Sequence, residues 1–225
     1  MNSSHDYDSI VCPRLLRGTH LVNADIVLQC ANMYPLPMNP IETPRLRLVP
    51  ATADLVGLEI ENLPKFFEQL SVEPIPDWPS EDLANVLPFF LEELENDPSL
   101  EGWLAWYWIL DTPEGAQLVG GGGFKGVPAG GFVEIGYQTQ VAYRRQGIAT
   151  EAISALATWA LKHPAVQCVV AQASPENAES NGLLHKLGFK PAGPGSETGQ
   201  LRFELRTGEH NNAALPQQRQ YPQPR

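Results

Sequence analysis

The chain has 225 residues, 43% of them hydrophobic, 18% charged and 8% aromatic, which is the balance of one soluble globular domain with room left for tails. A net charge of -11 argues against a duplex-binding surface, which needs surplus Lys and Arg, and apolar runs such as residues 103–110 fall far short of the roughly 20 residues that span a bilayer, so neither nucleic-acid nor membrane partners are expected. Cys12, Cys30 and Cys168 are odd in number and lack CxxC spacing, so no disulfide framework or zinc site is read, and with no secretory signal legible at the N-terminus a reducing cytoplasm fits best.

Residues 1–37 show no clear period and read as a poorly ordered extension or a mis-assigned start, since Met38 would serve as a natural start of translation. The domain is expected over residues 38–206, with residues 207–225, rich in Asn, Gln and Pro, as a disordered tail. Alternation over residues 45–49 predicts a first strand. Residues 53–70 predict a helical stretch broken near Pro64, and residues 81–95 an acidic helix with Leu83, Val86, Leu87, Phe90, Leu91 and Leu94 at helical spacing. Strands follow at 103–110, 117–123 and 132–137, then a helix over 150–162, a buried strand over 167–173, a helix over 178–187 stopped by Gly188, and a last strand over 201–205. A meander followed by crossover helices makes a mixed, mostly antiparallel α/β sheet the economical fold.

The most informative stretch runs from Glu134 to Glu151, where a strand ends near Gln138, a basic turn with one glycine follows, and an alanine-rich helix opens near Ala149. The first N–H groups of a helix lack intrahelical acceptors and sit at the positive end of its macrodipole, so such a junction suits a phosphate group. Gly147 allows close backbone approach, and Arg144 and Arg145 add charge. An ordinary strand-to-helix loop with a surface arginine pair has the same composition, so this stretch alone leaves both readings open.

Its neighbours are more specific. Arg144-x-x-Gly147-x-Ala149 resembles the Gln/Arg-x-x-Gly-x-Gly/Ala pyrophosphate loop of the GNAT acetyl-coenzyme A-dependent N-acetyltransferases. Glu134-Ile-Gly-Tyr137, Ala149-Thr-Glu-Ala152, Pro175-Glu-Asn-x-x-Ser180, Lys186-Leu-Gly-Phe189 and the opening Thr43-Pro-Arg-Leu-Arg-Leu48 resemble the ribosomal-protein N-terminal acetyltransferase (RimJ/RimL type) branch. The resemblance covers about residues 41–206. It implies a twisted sheet, splayed at the coenzyme A site and flanked by helices, with acetyl-coenzyme A as cosubstrate and no metal. Carried over position by position, Thr139 and Val141 would offer backbone groups to pantetheine. Arg145, Gly147, Ala149 and Thr150 would offer N–H groups to the pyrophosphate, with Arg144, Gln146 and Ile148 completing the loop. The family's glycine at the second loop position is here Arg145, which is tolerable if its amide faces the phosphate.

Asn177 is equally a helix N-cap or a contact to the cofactor arm. Asn177, Ser180 and Leu184 are expected on one helix face. Many family members carry a tyrosine acid where Leu184 stands, which leaves Ser180 as the candidate acid toward the departing thiolate. Glu134, on the opposite strand face from Val133 and Ile135, is the candidate base that removes the ammonium proton, although an exposed sheet glutamate is the commoner role. Residues 42–114 carry 16 acidic and 3 basic groups, and residues 115–206 carry 6 and 8. An acidic half beside the expected acceptor entrance suggests a cationic amine acceptor such as a peptide N-terminus, a polyamine or an aminoglycoside-like amine. The expected function is acetyl transfer to a primary amine by direct attack. The alternative is a non-catalytic coenzyme A-binding module. Oligomeric state is not legible. Gly120–Gly123 lacks the Lys-Ser/Thr of a P-loop and reads as a strand end or bulge where backbone passes closely, and His163, His185 and Cys168 read as packing residues.

Overall fold

A computed structural model of the chain describes residues 39–208; the expectations for residues 1–37 and for the tail from residue 209 lie outside the described residues. In chain order the elements are β1 (Ile41–Glu42), β2 (Leu46–Pro50), α1 (Ala53–Glu61), α2 (Leu63–Leu70), α3 (Glu81–Asn96), β3 (Ala105–Thr112), β4 (Gly115–Phe124), β5 (Phe132–Thr139), α4 (Ile148–Leu161), β6 (Cys168–Ala173), α5 (Ala178–Lys186), β7 (Lys190–Pro194) and β8 (Leu201–Arg206). The strands form one sheet in the order β1-β2-β3-β4-β5-β6-β8-β7, antiparallel at every pairing except β5 with β6. The single parallel pair is the one that α4 connects, as a crossover requires.

Local chemistry sets the helix boundaries. Asn62 both ends α1 and caps α2, its Oδ1 accepting from Lys65 N, so Pro64 falls in a first turn where its missing N–H costs nothing. The expected break near Pro64 is therefore a cap two residues earlier. Ser80 caps α3 in the same way through Leu83 N.

Each face of the sheet carries a core. Trp106, Trp108, Val133 and Ile135 pack with Ile153 and Leu156 of α4, while Tyr107, Ile109 and Leu118 pack with Val56, Phe66 and Leu87 of α1–α3. Strand β3 is thus buried on both sides. This explains a near-continuous apolar run in an antiparallel sheet.

The glycine run lies inside β4, not at a strand end. A Cβ on Gly120 or Gly122 would sit 3.0 or 2.8 Å from the Trp108 indole, and one on Gly123 would sit 1.8 Å from the Leu104 carbonyl oxygen. Close passage is the reason for the glycines, and a bulge adjoins them on β4 itself, where Val119 is the extra residue between the Trp108–Gly120 and Ile109–Leu118 pairs. Strand β7 had no period to read: it is a fully exposed edge strand paired only with β8 and containing two prolines. Cys168 and His163 are buried, His163 edge-on to Trp103 and His185 edge-on to Phe203, all packing roles. No helix among the described residues is long and apolar enough to cross a membrane.

Candidate active site

Strands β5 and β6 pair at four positions, from Phe132–Cys168 to Ile135–Ala171. Beyond these, each strand follows its outer neighbour: β5 stays on β4 as far as Thr139, opposite Gly120, and β6 stays on β8 as far as Ala173, opposite Leu201. The sheet therefore splays, and residues 136–139 have no strand partner on their β6 side.

The chain leaves β5 through a 3₁₀ turn, Val141–Tyr143, and reaches α4 by way of two left-handed residues, Arg145 at φ 60° and Gly147 at φ 79°. Gly147 is the N-cap of α4 and has no side chain to cap it. The other four α-helices among the described residues are capped by the side chains of Thr52, Asn62, Ser80 and Asn177. The N–H of Glu151 reaches the Gly147 carbonyl at 3.1 Å as the first α-helical bond, so the amides of Ile148, Ala149 and Thr150 precede it without intrahelical acceptors at the positive helix end.

A cleft of about 670 Å³ lies over the splay and this helix end. Thr139, Arg144, Arg145, Gly147, Ile148, Ala149 and Thr150 line it, and Asn177 and Ser180 enter from α5. Val141 and Gln146 do not. The Val141 side chain is 72% exposed, and Gln146 folds back with Nε2 donating to the Ala142 carbonyl. Arg144 Nε donates to the Thr139 carbonyl at 3.2 Å, so that side chain braces the loop. Asn177 is the N-cap of α5, its Oδ1 accepting from Ser180 N at 2.9 Å.

Two expected placements change. Leu184 does not share the cleft face with Ser180: it is fully buried in the core beneath α5, and Leu183 is the leucine that lines the cleft. Glu134 lines no cleft. Its Oε1 is 2.6 Å from Lys125 Nζ and its Oε2 accepts from Gln172 Nε2 at 2.8 Å, so the carboxylate ties the β4–β5 connection to β6.

Several contacts of the site carried no local signal. Tyr137, on β5, has its hydroxyl 2.7 Å from Ser180 Oγ, and burial pushes its phenol above the ordinary value. Thr43 and Arg45 reach across more than 100 residues to Glu151 in the first turn of α4. A second cleft of about 370 Å³ opens between α3 and the sheet, walled by Trp78, Leu83, Phe89, Phe90 and Leu104 and floored by Gly120–Gly123. Gly136, Tyr137 and Gln138 line both clefts, which therefore meet at the splay. Glu59 lies buried beside this second cleft, with Trp78 Nε1 and the Tyr107 hydroxyl donating to its oxygens, and burial pushes its carboxyl up to about 7. Among the described residues, no group of three or more His, Cys, Asp or Glu is arranged to hold a metal ion.

Comparison with known proteins agrees with this architecture. Residues 45–190 match the acetyltransferase (GNAT) domain family. The N-acetyltransferase YjdG of Bacillus subtilis (strain 168) is 33% identical over 150 residues, covering 66% of this chain and 88% of that protein. Mycobacterium smegmatis RimJ, solved in complex with CoA-disulfide, superposes with a TM-score of 0.54 at 20% identity, over 82% of this chain and 91% of its own. Ribosomal-protein-S5-alanine acetyltransferase from Vibrio fischeri superposes with a TM-score of 0.51 at 17% identity, over 76% and 98%. With its splayed mixed sheet, its side-chain-free helix cap and a family match over most of the described residues, the chain belongs to the GNAT acetyltransferases.

Proposed function

We propose that the chain transfers the acetyl group of acetyl-coenzyme A to a primary amine by direct attack on the thioester. The observation that carries this reading is the alignment of the β5–β6 splay with the α4 N-terminus, the one α-helix end among the described residues that no side chain caps. Pantetheine would lie along the unpartnered edge of residues 136–139 as an added strand, with Thr139 and the backbone near Val141 as its partners. The pyrophosphate would take the amides of Arg145, Gly147, Ile148, Ala149 and Thr150, with Arg144 and Gln146 shaping the loop from outside. Asn177 would orient Ser180, whose hydroxyl is the acid nearest the departing sulfur.

The second cleft supports transfer over mere coenzyme binding, since a binding module needs no room for an acceptor. Its walls are aromatic and aliphatic, with Glu93 the acidic group among them. The acceptor would present its amine on an apolar body, Glu93 would attract the ammonium, and Glu134 would hold Lys125, which lines this cleft, without taking the proton. The thioester is reactive enough that proximity and backbone polarisation of the carbonyl supply much of the rate. The test is thiol release from acetyl-coenzyme A with N-terminal peptides, polyamines and aminoglycosides. Turnover with one class supports the reading; tight coenzyme binding with no release across the panel favours the module.

A further inference from the structure

We infer that Tyr137 is a catalytic residue that relays a proton through Ser180 to the leaving sulfur, from a phenol that β5 places where the two clefts meet. The inference rests on the acetyl-transfer reading above. Three observations carry it. The Tyr137 hydroxyl and Ser180 Oγ are 2.7 Å apart, the two residues face each other across the splay, and Tyr137 lines both the cleft assigned to coenzyme and the cleft assigned to acceptor. Leu184 is fully buried in the core and contributes nothing to either cleft. Ser180 in turn is fixed at its backbone, because Asn177 Oδ1 accepts its N–H.

A phenol is a stronger hydrogen-bond donor than an alkanol, so Tyr137 donates to Ser180 Oγ, leaving the serine's own proton free to point at sulfur. A hydroxyl that accepts one bond is also a better donor of the next. The acceptor reacts as the neutral amine, its ammonium proton having passed to solvent through the open cleft, and as its nitrogen bonds to the acetyl carbon the carbon–sulfur bond breaks with its electron pair on sulfur. Sulfur takes the Ser180 proton, Ser180 takes the Tyr137 proton, and the phenol is restored by the proton that the newly acylated nitrogen sheds. No group ends the cycle with altered charge. Burial of the phenol disfavours a free tyrosinate between these transfers.

The test is a double-mutant cycle of Tyr137→Phe and Ser180→Ala on the full chain, read with the acceptor that supports the fastest thiol release. Tyr137→Phe keeps the ring and deletes one oxygen. The expected result is a drop in kcat of about 100-fold for each single variant, at the low end of general acid catalysis, with KM for acetyl-coenzyme A within about twofold of wild type. The double variant should be little worse than either single one, because each removes the same relay. The solvent deuterium isotope effect on kcat should shrink in Tyr137→Phe. Unchanged kcat in that variant, effects that multiply, or a loss confined to melting temperature and KM would overturn the inference while leaving acetyl transfer intact. A wild-type protein that binds coenzyme yet releases no thiol with any acceptor overturns the transfer reading and this one with it.

Discussion

Arg45 and Glu151, 106 residues apart, form the pin that holds the phosphate-facing helix end in place. Arg45 Nε donates to Glu151 Oε2 at 2.6 Å, and its backbone N–H and the Thr43 hydroxyl both donate to Oε1. Arg45 Nη1 also donates to the Gln146 carbonyl at 3.0 Å, which fixes the loop from behind. The pair thus ties the β1–β2 turn to the first turn of α4, where a carboxylate also complements the helix dipole.

Glu151→Ala should therefore weaken both the fold and coenzyme binding. Leaving Arg45 without its partner costs about 2–3 kcal/mol, below the range for a fully buried pair because the Arg45 side chain is 43% exposed. Chemical denaturation should show that loss, and calorimetric titration with coenzyme A should show Kd raised about tenfold through a loosened loop. A variant with full stability and unchanged Kd would make the pin incidental.

Arg145 adopts a left-handed backbone in a position where only glycine does so without cost. If the Arg145 amide rather than its side chain faces the phosphate, Arg145→Gly should relieve about 1 kcal/mol of loop strain while losing one surface charge, leaving coenzyme affinity within about threefold. A tenfold or greater loss of affinity would mean that the guanidinium itself binds the ligand.

Glu134→Gln distinguishes a structural carboxylate from a base. A general base contributes about 10²- to 10⁴-fold, whereas a glutamine here keeps the bond from Gln172 in altered form and loses only the attraction to Lys125. The expected loss in kcat is under about tenfold, on the scale of one surface-proximal ion pair. A drop of a hundredfold, with normal melting behaviour, would return the base role to Glu134.

Glu59 gives stability a pH dependence of defined sign. Its carboxyl is held at about 7 in the folded chain by burial, against an ordinary 4.5. The folded protein keeps this proton where the unfolded chain has lost it, so the stabilisation is complete below about 4.5, falls as pH rises, and is gone above about 7, a swing of about 3 kcal/mol. Urea midpoints of wild type should fall between pH 5 and 8 more than those of Glu59→Gln, whose neutral side chain cannot titrate. Parallel curves for the two proteins would contradict a carboxyl held protonated by burial.

Much of this architecture was legible from sequence, and the pattern of what was not is physical. Strong periodicity and local caps carried α3, β5, α4 and α5 to within a few residues, and one glycine in a basic turn, between a strand and an alanine-rich helix, marked the loop. The Arg45–Glu151 pin, the Tyr137–Ser180 pair and the Glu59 cluster each join residues at least 40 positions apart along the chain, and nothing in a local window reports such contacts. Asn177 is the N-cap of α5, with φ -79° and ψ 74° outside helical geometry, so helical spacing counted from it does not fix the face that Leu184 takes. Glu134 was placed on the correct strand, but its partner Lys125 comes from a turn whose fold a sequence window cannot give.

The central claim is that the uncapped end of α4 at Gly147 holds the pyrophosphate of coenzyme A. Gly147→Asp adds a side chain at φ 79°, a backbone conformation that L residues rarely adopt, with its Cβ 3.4 Å from Arg45 Nη2, and it sets a fixed negative charge at the helix end that an anionic ligand would need. The decisive measurement is calorimetric titration of wild type and Gly147→Asp with coenzyme A, alongside their melting curves. The account predicts micromolar or tighter binding by wild type, binding lost by a factor of about 100 or more in the variant, and a cooperative melt in both. A variant that binds coenzyme A as wild type does would contradict it.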